Sequence, residues 1–448
     1  MADRAMVLGV ALGENYGVHP GAWRMPEVDP GAYTDIEASV RTARTAERGG
    51  LDFAFYPDRV FLHGGFRDGP PMFPMEPLMV LAAVAHATRR IGLVASASTS
   101  FNEPYTLARQ LRALDVISRG RAGWNAIPSF EPEAFANYGR RPLERAEKYE
   151  RLHEVIQIVQ ALWGSWEREA GAPDQATGVF ADAAHIRPIN LAGRHVGSRG
   201  PIQIPPSEQG QPVIFMPSAS GMGLQAAGMY SNGIIAMPDT QEESRAQRDM
   251  IRSLAAASGR SPDEVKFLPF IGFGLGATQR EALDRRRVLE EKAGLGSRLA
   301  HLSAILGVRL DPERADTPLA DSQIAALRPH PGMPRAVRAV ELASAGWSPL
   351  DILAHGVLDT NPGVVGTPEQ AADLMQEWIE ADVCDGFTLV VDNLHDGLDA
   401  FVDQVVPILR RRGLRPPGYQ GATLREHLGL AEQLGVDPRL ATTSPTAN

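Results

Sequence analysis

Eight short apolar runs alternate with stretches of helical periodicity along the chain. The runs span 6–12, 51–57, 90–99, 121–127, 212–217, 233–238, 266–274 and 386–391. Between them, apolar residues recur every three or four positions over 33–48, 76–87, 103–118, 143–166, 221–230, 241–258 and 367–382, the spacing of one buried helical face. A helix that returns one strand parallel to the last is a βαβ unit, and eight alternations predict an α/β fold of the closed (β/α)8 TIM barrel type rather than an open sheet.

The segment 90–125 shows the pattern most clearly. Residues 91–95 are continuously apolar, as a strand buried on both faces requires, and give way to Ser96, Ser98, Thr99, Ser100 and Asn102. Pro104 suits the first turn of a helix whose buried face carries Leu107, Leu111, Leu114 and Ile117. After Ser118-Arg119-Gly120 the chain returns as a short strand through Trp124 to Asn125. Ligands of barrels sit at the carboxyl ends of the strands, so Thr99 and Asn125 are expected to face one pocket.

Two stretches exceed a plain barrel. Residues 167–211 and 275–366, the latter with helical patterns at 279–292 and 335–345, read as insertions at the mouth, the longer one a lid or an oligomer contact. The expected organisation is one barrel domain over 1–415 with these insertions, then a polar tail over 416–448. That tail has a short helical stretch near 424–433 and is expected to wrap a neighbour or stay disordered.

Composition narrows the class of partner. With 448 residues, 44% hydrophobic and 22% charged, the chain has the make-up of a soluble globular protein with a sizeable core. A formal charge of −10 argues against nucleic-acid or anionic-membrane surfaces. The single cysteine, Cys384, excludes intrachain disulfides and cysteine-based zinc sites and fits a reducing cytoplasm. Neither a signal segment nor an uncharged apolar run long enough to span a membrane is present, so a cytoplasmic location is expected.

Several residues could carry chemistry. Phe215-Met-Pro-Ser-Ala-Ser-Gly-Met-Gly223 leaves the fifth strand and opens a helix through Ser218, Ser220 and two glycines, the make-up of a phosphate cradle or of a plain helix cap. Tyr149 lies in the first turns after the fourth strand, with Arg145 one turn earlier to add a positive charge. Asp58 closes the second strand, and His19 follows the first with Trp23 close behind; His185 and His195 fall in the first insertion. No His-x-His or His-Glu-x-x-His occurs, only Glu150-x-x-His153, and no metal is expected. Phe61, Phe66, Met72, Phe73 and Met75 suggest an apolar pocket or plain packing.

The chain also carries motifs that resemble one family, the bacterial-luciferase-like flavin-dependent monooxygenases of the nitrilotriacetate, dibenzothiophene-sulfone and long-chain alkane group. The matching pieces are Gly21-Ala-Trp-Arg24, Ala46-Glu-Arg-Gly-Gly-Leu-Asp-Phe53, Ser98-Thr99, Glu103-Pro-Tyr-Thr-Leu-Ala-Arg109, Gly123-Trp-Asn125 and Lys148-Tyr149. Leu162-Trp-Gly-Ser-Trp166, His195-Val-Gly-Ser-Arg-Gly-Pro-Ile202, Gln209-Gly-Gln-Pro-Val213 and Val365-Gly-Thr-Pro-Glu369 follow in the family's order. The resemblance implies a two-component monooxygenase that uses reduced FMN, supplied by a separate NAD(P)H:flavin reductase, and O2 to oxygenate a small organic substrate. It implies Asp58, Ser98, Thr99 and Asn125 around the flavin ring and ribityl chain, and Arg145, Tyr149, Ser218, Ala219, Ser220 and Gly221 at the ribityl and phosphate end. Asn125, Thr99 and His19 are the expected catalytic residues, the first two as neutral donors that orient oxygen, and the chain is expected to be a homodimer or homotetramer.

The chain departs from the family pattern at Arg145, where relatives usually carry histidine. It departs again in the turn Met216-Pro-Ser-Ala-Ser220, where Ala219 lacks a hydroxyl. Three alternatives stand beside the main reading: a deazaflavin-dependent oxidoreductase of the same superfamily, a non-catalytic flavin-binding protein, and a barrel glycosidase using Asp58 and Asp392.

Overall fold

The computed structural model describes residues 5–13, 15–62, 64, 69–171, 173–217, 221–329 and 333–435. Eight parallel strands close the barrel: β1 Val7–Ala11, β2 Phe53–Tyr56, β3 Gly92–Ser98, β4 Ala122–Ile127, β5 Val213–Pro217, β6 Gly233–Ala236, β7 Lys266–Leu275 and β8 Gly386–Val391. Each pairs with the next, and β8 returns to β1 with Val7 opposite Gly386. The surrounding helices are α1 Ile36–Gly49, α2 Pro77–Ala87, α3 Pro104–Ser118, α4 Arg145–Gly164, α5 Met222–Tyr230, α6 Gln241–Ala257 and α7 Pro368–Glu380. Side-chain oxygens of Asp35, Thr240 and Thr367 accept from backbone N–H groups of the first turns of α1, α6 and α7 and so fix where those helices begin. Among the described residues, no helix is long and apolar enough to cross a membrane.

Strand alternation sends Leu93, Ala95 and Ala97 of β3 toward the helices and Gly92, Val94, Ser96 and Ser98 into the barrel. The lower interior is apolar, with Val7, Phe53, Val94, Val213, Phe215 and Leu268 in one cluster. The polar inward positions Ser96, Ser98 and Asn125 come later on β3 and β4, toward their carboxyl ends.

The tail does something that its sequence did not announce. Over residues 416–435 it folds back across the amino end of the barrel. Its helix is only Leu424–His427, shorter than the stretch expected, and Leu424 is fully buried among the floor residues. Arg415 pairs with buried Asp52 at 2.5 Å, and Arg425 donates to the Gln211 carbonyl at 2.9 Å.

The segment between β7 and β8 holds helices Gln279–Lys292, Leu295–Leu306, Asp321–Ala325, Pro334–Ser344 and Pro349–Ala354, with an apolar cluster of their own around Leu299, Leu302, Leu342 and Leu353. It ends in a strand that the sequence pattern missed, Gly363–Gly366, whose four residues include two glycines. Gly272 of β7 pairs with Val390 on one side and Gly363 on the other, so this strand extends the sheet at the mouth. The segment between α4 and β5 is mostly irregular, with one two-stranded hairpin, Leu191–Ala192 against Gly197–Ser198.

Leu424→Ala leaves a cavity in the barrel floor and is expected to destabilise the protein by about 2–5 kcal/mol. The midpoint of urea unfolding checks this, since an unchanged midpoint means that the tail does not hold the floor.

Candidate active site

Asn125 lies opposite Ser96 on β3 and beside Phe215 on β5. Its Nδ2 donates to Ser96 Oγ at 2.8 Å, while its Oδ1 is buried with no hydrogen-bond partner among the described residues. A buried acceptor left unpaired costs about 1–3 kcal/mol, so it marks a place where a ligand N–H or O–H is wanted. With one amide hydrogen taken by Ser96, the side chain keeps a second N–H and offers Oδ1 as an unpaired acceptor. Ser96 was legible only as part of a polar strand end, not as the residue that orients this amide.

Thr99 is likewise committed. Its N–H and its Oγ1 both donate to the Ile127 carbonyl, at 2.8 and 3.2 Å, which joins the ends of β3 and β4 and leaves the hydroxyl only its acceptor capacity. Its own carbonyl accepts from Arg151 Nε at 3.0 Å, and Arg151 Nη2 reaches the Asn102 carbonyl at 3.2 Å. Arg151 stands two residues past Tyr149 on α4, so this helix braces the loop after β3. Ser98 Oγ bonds Ser129 Oγ at 2.8 Å and accepts from the Ser100 N–H at 3.1 Å.

Asp58 and Ser98 meet in a cavity of 350 Å³ with Glu76, Asn102 and Tyr138. Burial, and then the neighbouring Glu76 carboxylate, push the Asp58 carboxyl up to about 6. Phe73 and Met75 supply part of the wall, whereas Phe66 lies outside the described residues.

Ser218, Ala219 and Ser220 of the phosphate turn also lie outside the described residues. Gly221, which follows, has φ +57° and ψ −118°, a conformation that residues with a Cβ avoid, and it precedes the nine-residue helix α5. A Cβ at Gly221 would lie 3.5 Å from Arg145 Nη2, so the guanidinium at the first turn of α4 reaches the amino end of α5. A guanidinium beside a helix amino terminus suits an anion. Tyr149 is half-buried against the barrel core, one turn after Arg145.

His19 belongs to a different group. Its Nδ1 accepts from the Gly21 N–H at 3.1 Å, so Nε2 carries the proton that bonds Glu290 Oε1 at 3.0 Å. Desolvation lowers the imidazole pKa below its usual value. Glu290 also binds Arg298 at 2.5 and 3.0 Å, and its hydrogen bonds to His19 and Arg298 outweigh burial, holding its carboxyl at about 2. With both ring nitrogens occupied, His19 braces the β1 loop against helix Gln279–Lys292. His19 and Asp392 line a second cavity with Gly272 and Val390, apart from the one that holds Asp58, so the two glycosidase carboxylates are not brought to one bond. His185 bonds Glu167 at 2.7 Å within the first insertion, and His195 reaches back to Glu150 of α4 at 3.1 Å.

The chain is similar along most of its length to proteins of known activity. N-acetyl-S-(2-succino)cysteine monooxygenase of Bacillus subtilis (strain 168) is 35% identical over 428 residues, covering 94% of this chain and 96% of its own. Nitrilotriacetate monooxygenase component A of Aminobacter aminovorans is 34% identical over 447 residues, covering 96% and 97%. The structure of EDTA monooxygenase from Chelativorans sp. BNC1 superposes with a TM-score of 0.80 at 30% identity, covering 97% of this chain and 100% of that one. The profile of the luciferase-like monooxygenases matches residues 19–384, and the chain belongs to that family.

Proposed function

We infer that this protein is the oxygenating component of a two-component monooxygenase, using reduced FMN and O2 to oxygenate a small organic substrate, with FMN reduced by a separate NAD(P)H:flavin reductase. The observation that carries this reading is the unpaired Asn125 Oδ1 above the packed floor of the barrel. Reduction adds N–H donors to a flavin ring, and a buried neutral acceptor suits them. At the other end, Gly221 and Arg145 at the head of α5 suit the FMN phosphate. The residues present therefore fit the cofactor that this family uses.

When bound, reduced FMN supplies the electrons that activate O2 for transfer of one oxygen atom. The chain supplies position and shelter. Asn125 would accept a hydrogen bond from the ring, and Ser96 holds that amide in orientation. Arg151 and the Thr99–Ile127 bonds fix the loop that closes over β3 and β4. Asp58 and Ser98 line the adjoining cavity, and Arg145 with Tyr149 would hold the ribityl and phosphate end. The long insertion before β8 restricts water at the mouth.

The reading is tested by supplying FMN with a flavin reductase and NAD(P)H and screening candidate substrates for oxygen incorporation by mass spectrometry; failure to consume O2 with reduced FMN defeats it. Asn125→Ala is expected to keep the fold and lower oxygenated product about tenfold, the scale of one buried hydrogen bond. Arg145→Ala, at an exposed position, is expected to weaken FMN binding about tenfold while leaving riboflavin, which lacks the phosphate, unaffected. Fluorescence titration of the two flavins reads the difference.

Asp58 adds a pH dependence. Its carboxyl is raised from 3.8 to about 6 in the fold, so the folded state favours the protonated form. Its contribution to stability is complete below about pH 3.8 and is lost as the pH rises through about 6. Asp58→Asn is therefore expected to raise the Tm of the flavin-free protein at pH 7.5 and to leave it nearly unchanged at pH 3, as measured by thermal unfolding.

A further inference from the structure

We propose that the cavity over β1, β7 and β8 is a substrate subsite that receives an alkylamine group, with Asp392 and Asn361 accepting its N–H hydrogen bonds. This deepens the oxygenase reading and rests on it, since it names the class of small molecule that the mouth takes.

The cavity measures 230 Å³. Asp392 follows β8 directly and is buried. Its Oδ1 accepts one hydrogen bond, from the Asn393 N–H at 2.8 Å, and its nearest cation, Arg286 Nη1, stands 3.6 Å from Oδ2, beyond hydrogen-bond reach. A carboxylate has about four acceptor positions, so most of its capacity is unused. Asn361 lines the same space with a buried Oδ1 that has no partner among the described residues. Two acceptors short of donors define the complementary ligand as one that brings N–H groups.

Charge favours a cation over an anion. The group comprises Arg286 and Arg298 on the positive side and Glu290, Asp359 and ionised Asp392 on the negative side, with His19 neutral, which leaves one negative charge in excess. Both guanidiniums are already engaged, Arg286 by Asp359 and Arg298 by Glu290, so a carboxylate ligand would find each of them occupied. Burial raises the Asp392 carboxyl to about 6, the direction expected of a charge that lacks a close partner.

Shape agrees with an alkyl body behind the amine. A Cβ at Gly272 would meet nothing nearer than 3.8 Å, so the missing side chain there leaves room for a ligand. A Cβ at Gly274 would come within 2.5 Å of Asp392 Oδ2, so that glycine lets the carboxylate settle where it is. Val390 and Leu358 provide apolar wall.

The test is calorimetric titration of the full-length protein at pH 7.5 with n-butylamine and with butyrate, a cation and an anion of equal chain length. Saturable binding of the amine and not of butyrate is expected, weakened at least tenfold by Asp392→Asn and about threefold by Asn361→Ala. Circular dichroism and Tm establish that each variant is folded, and if Asp392→Asn does not fold, Asn361→Ala carries the test. Butyrate binding as tightly as the amine, no saturable amine binding, or amine binding that survives the substitutions overturns the proposal. FMN titration of the same preparation separates the two levels. If FMN binds and the amine does not, only the substrate class falls; if FMN fails to bind, the oxygenase reading falls with it.

Discussion

The interior of the barrel is filled by side chains that lie where other strands have none. The Phe53 ring occupies the space of a side chain at Gly9, where a Cβ would come within 2.1 Å of it, and the Phe215 ring does the same at Gly233, within 2.3 Å. The two rings meet at 5.2 Å between centroids. Gly92 and Gly123 leave room in turn for Leu424, which the tail inserts from the amino end. This interlock of large and absent side chains lets the inner faces of the strands pack on one another. Ser96 and Asn125, two residues beyond Val94 and Gly123, lie on the carboxyl side of the aromatic layer and mark the bottom of the usable cup.

Above that layer the polar groups divide by charge. At the ends of β3 and β4 they are neutral: an amide and hydroxyls, bonded to one another and to carbonyls, with Arg151 acting from behind on backbone oxygens. Around β7 and β8 they are ionic, with Arg286 and Arg298 among Glu290, Asp359 and Asp392. A neutral surround suits a ring that changes oxidation state, because it need not exchange a counter-charge each time. Buried ion pairs stabilise little on balance against hydrophobic packing of equal size, yet each has a single good geometry. That makes them apt fasteners for a long insertion that must sit in one place over the mouth.

How much of this was legible follows from what is local. The eight strands could be read because each is buried on both faces and so is apolar along its length, and the helices because one face of each is buried. The strand Gly363–Gly366 could not, since its place is set by pairing with β7 rather than by its own residues. The tail looked polar because only Leu424, Leu428 and Leu430 enter the floor, and a few leucines in a charged segment give no period. Helix Leu295–Leu306 and its neighbours pack on one another, away from the barrel alternation that organised the reading. Asn125 and Asp58 were picked out by their place at strand ends, a rule of the fold rather than of the residues, and the structure puts both near the mouth. His19 was picked out by the same rule and proves to be held by Glu290, which lies 271 positions away in the chain.

Asn125, Thr99 and His19 share a lesson about what a residue type can say. An amide can donate or accept, a hydroxyl can do both, and an imidazole has a nitrogen for each; the sequence states these capacities but not which of them neighbours consume. Here Ser96 takes an amide hydrogen from Asn125, the Ile127 carbonyl takes the hydroxyl hydrogen of Thr99, and Gly21 with Glu290 occupies both nitrogens of His19. In each case a donor is engaged: Asn125 keeps its acceptor and a second amide hydrogen, Thr99 keeps an acceptor, and His19 keeps nothing. The same remainder is found at Asp392 and Asn361 on the other side of the mouth. An opening lined by residual acceptors selects ligands rich in N–H groups. The chemistry of the site is thus the complement of what its own hydrogen bonds have already spent.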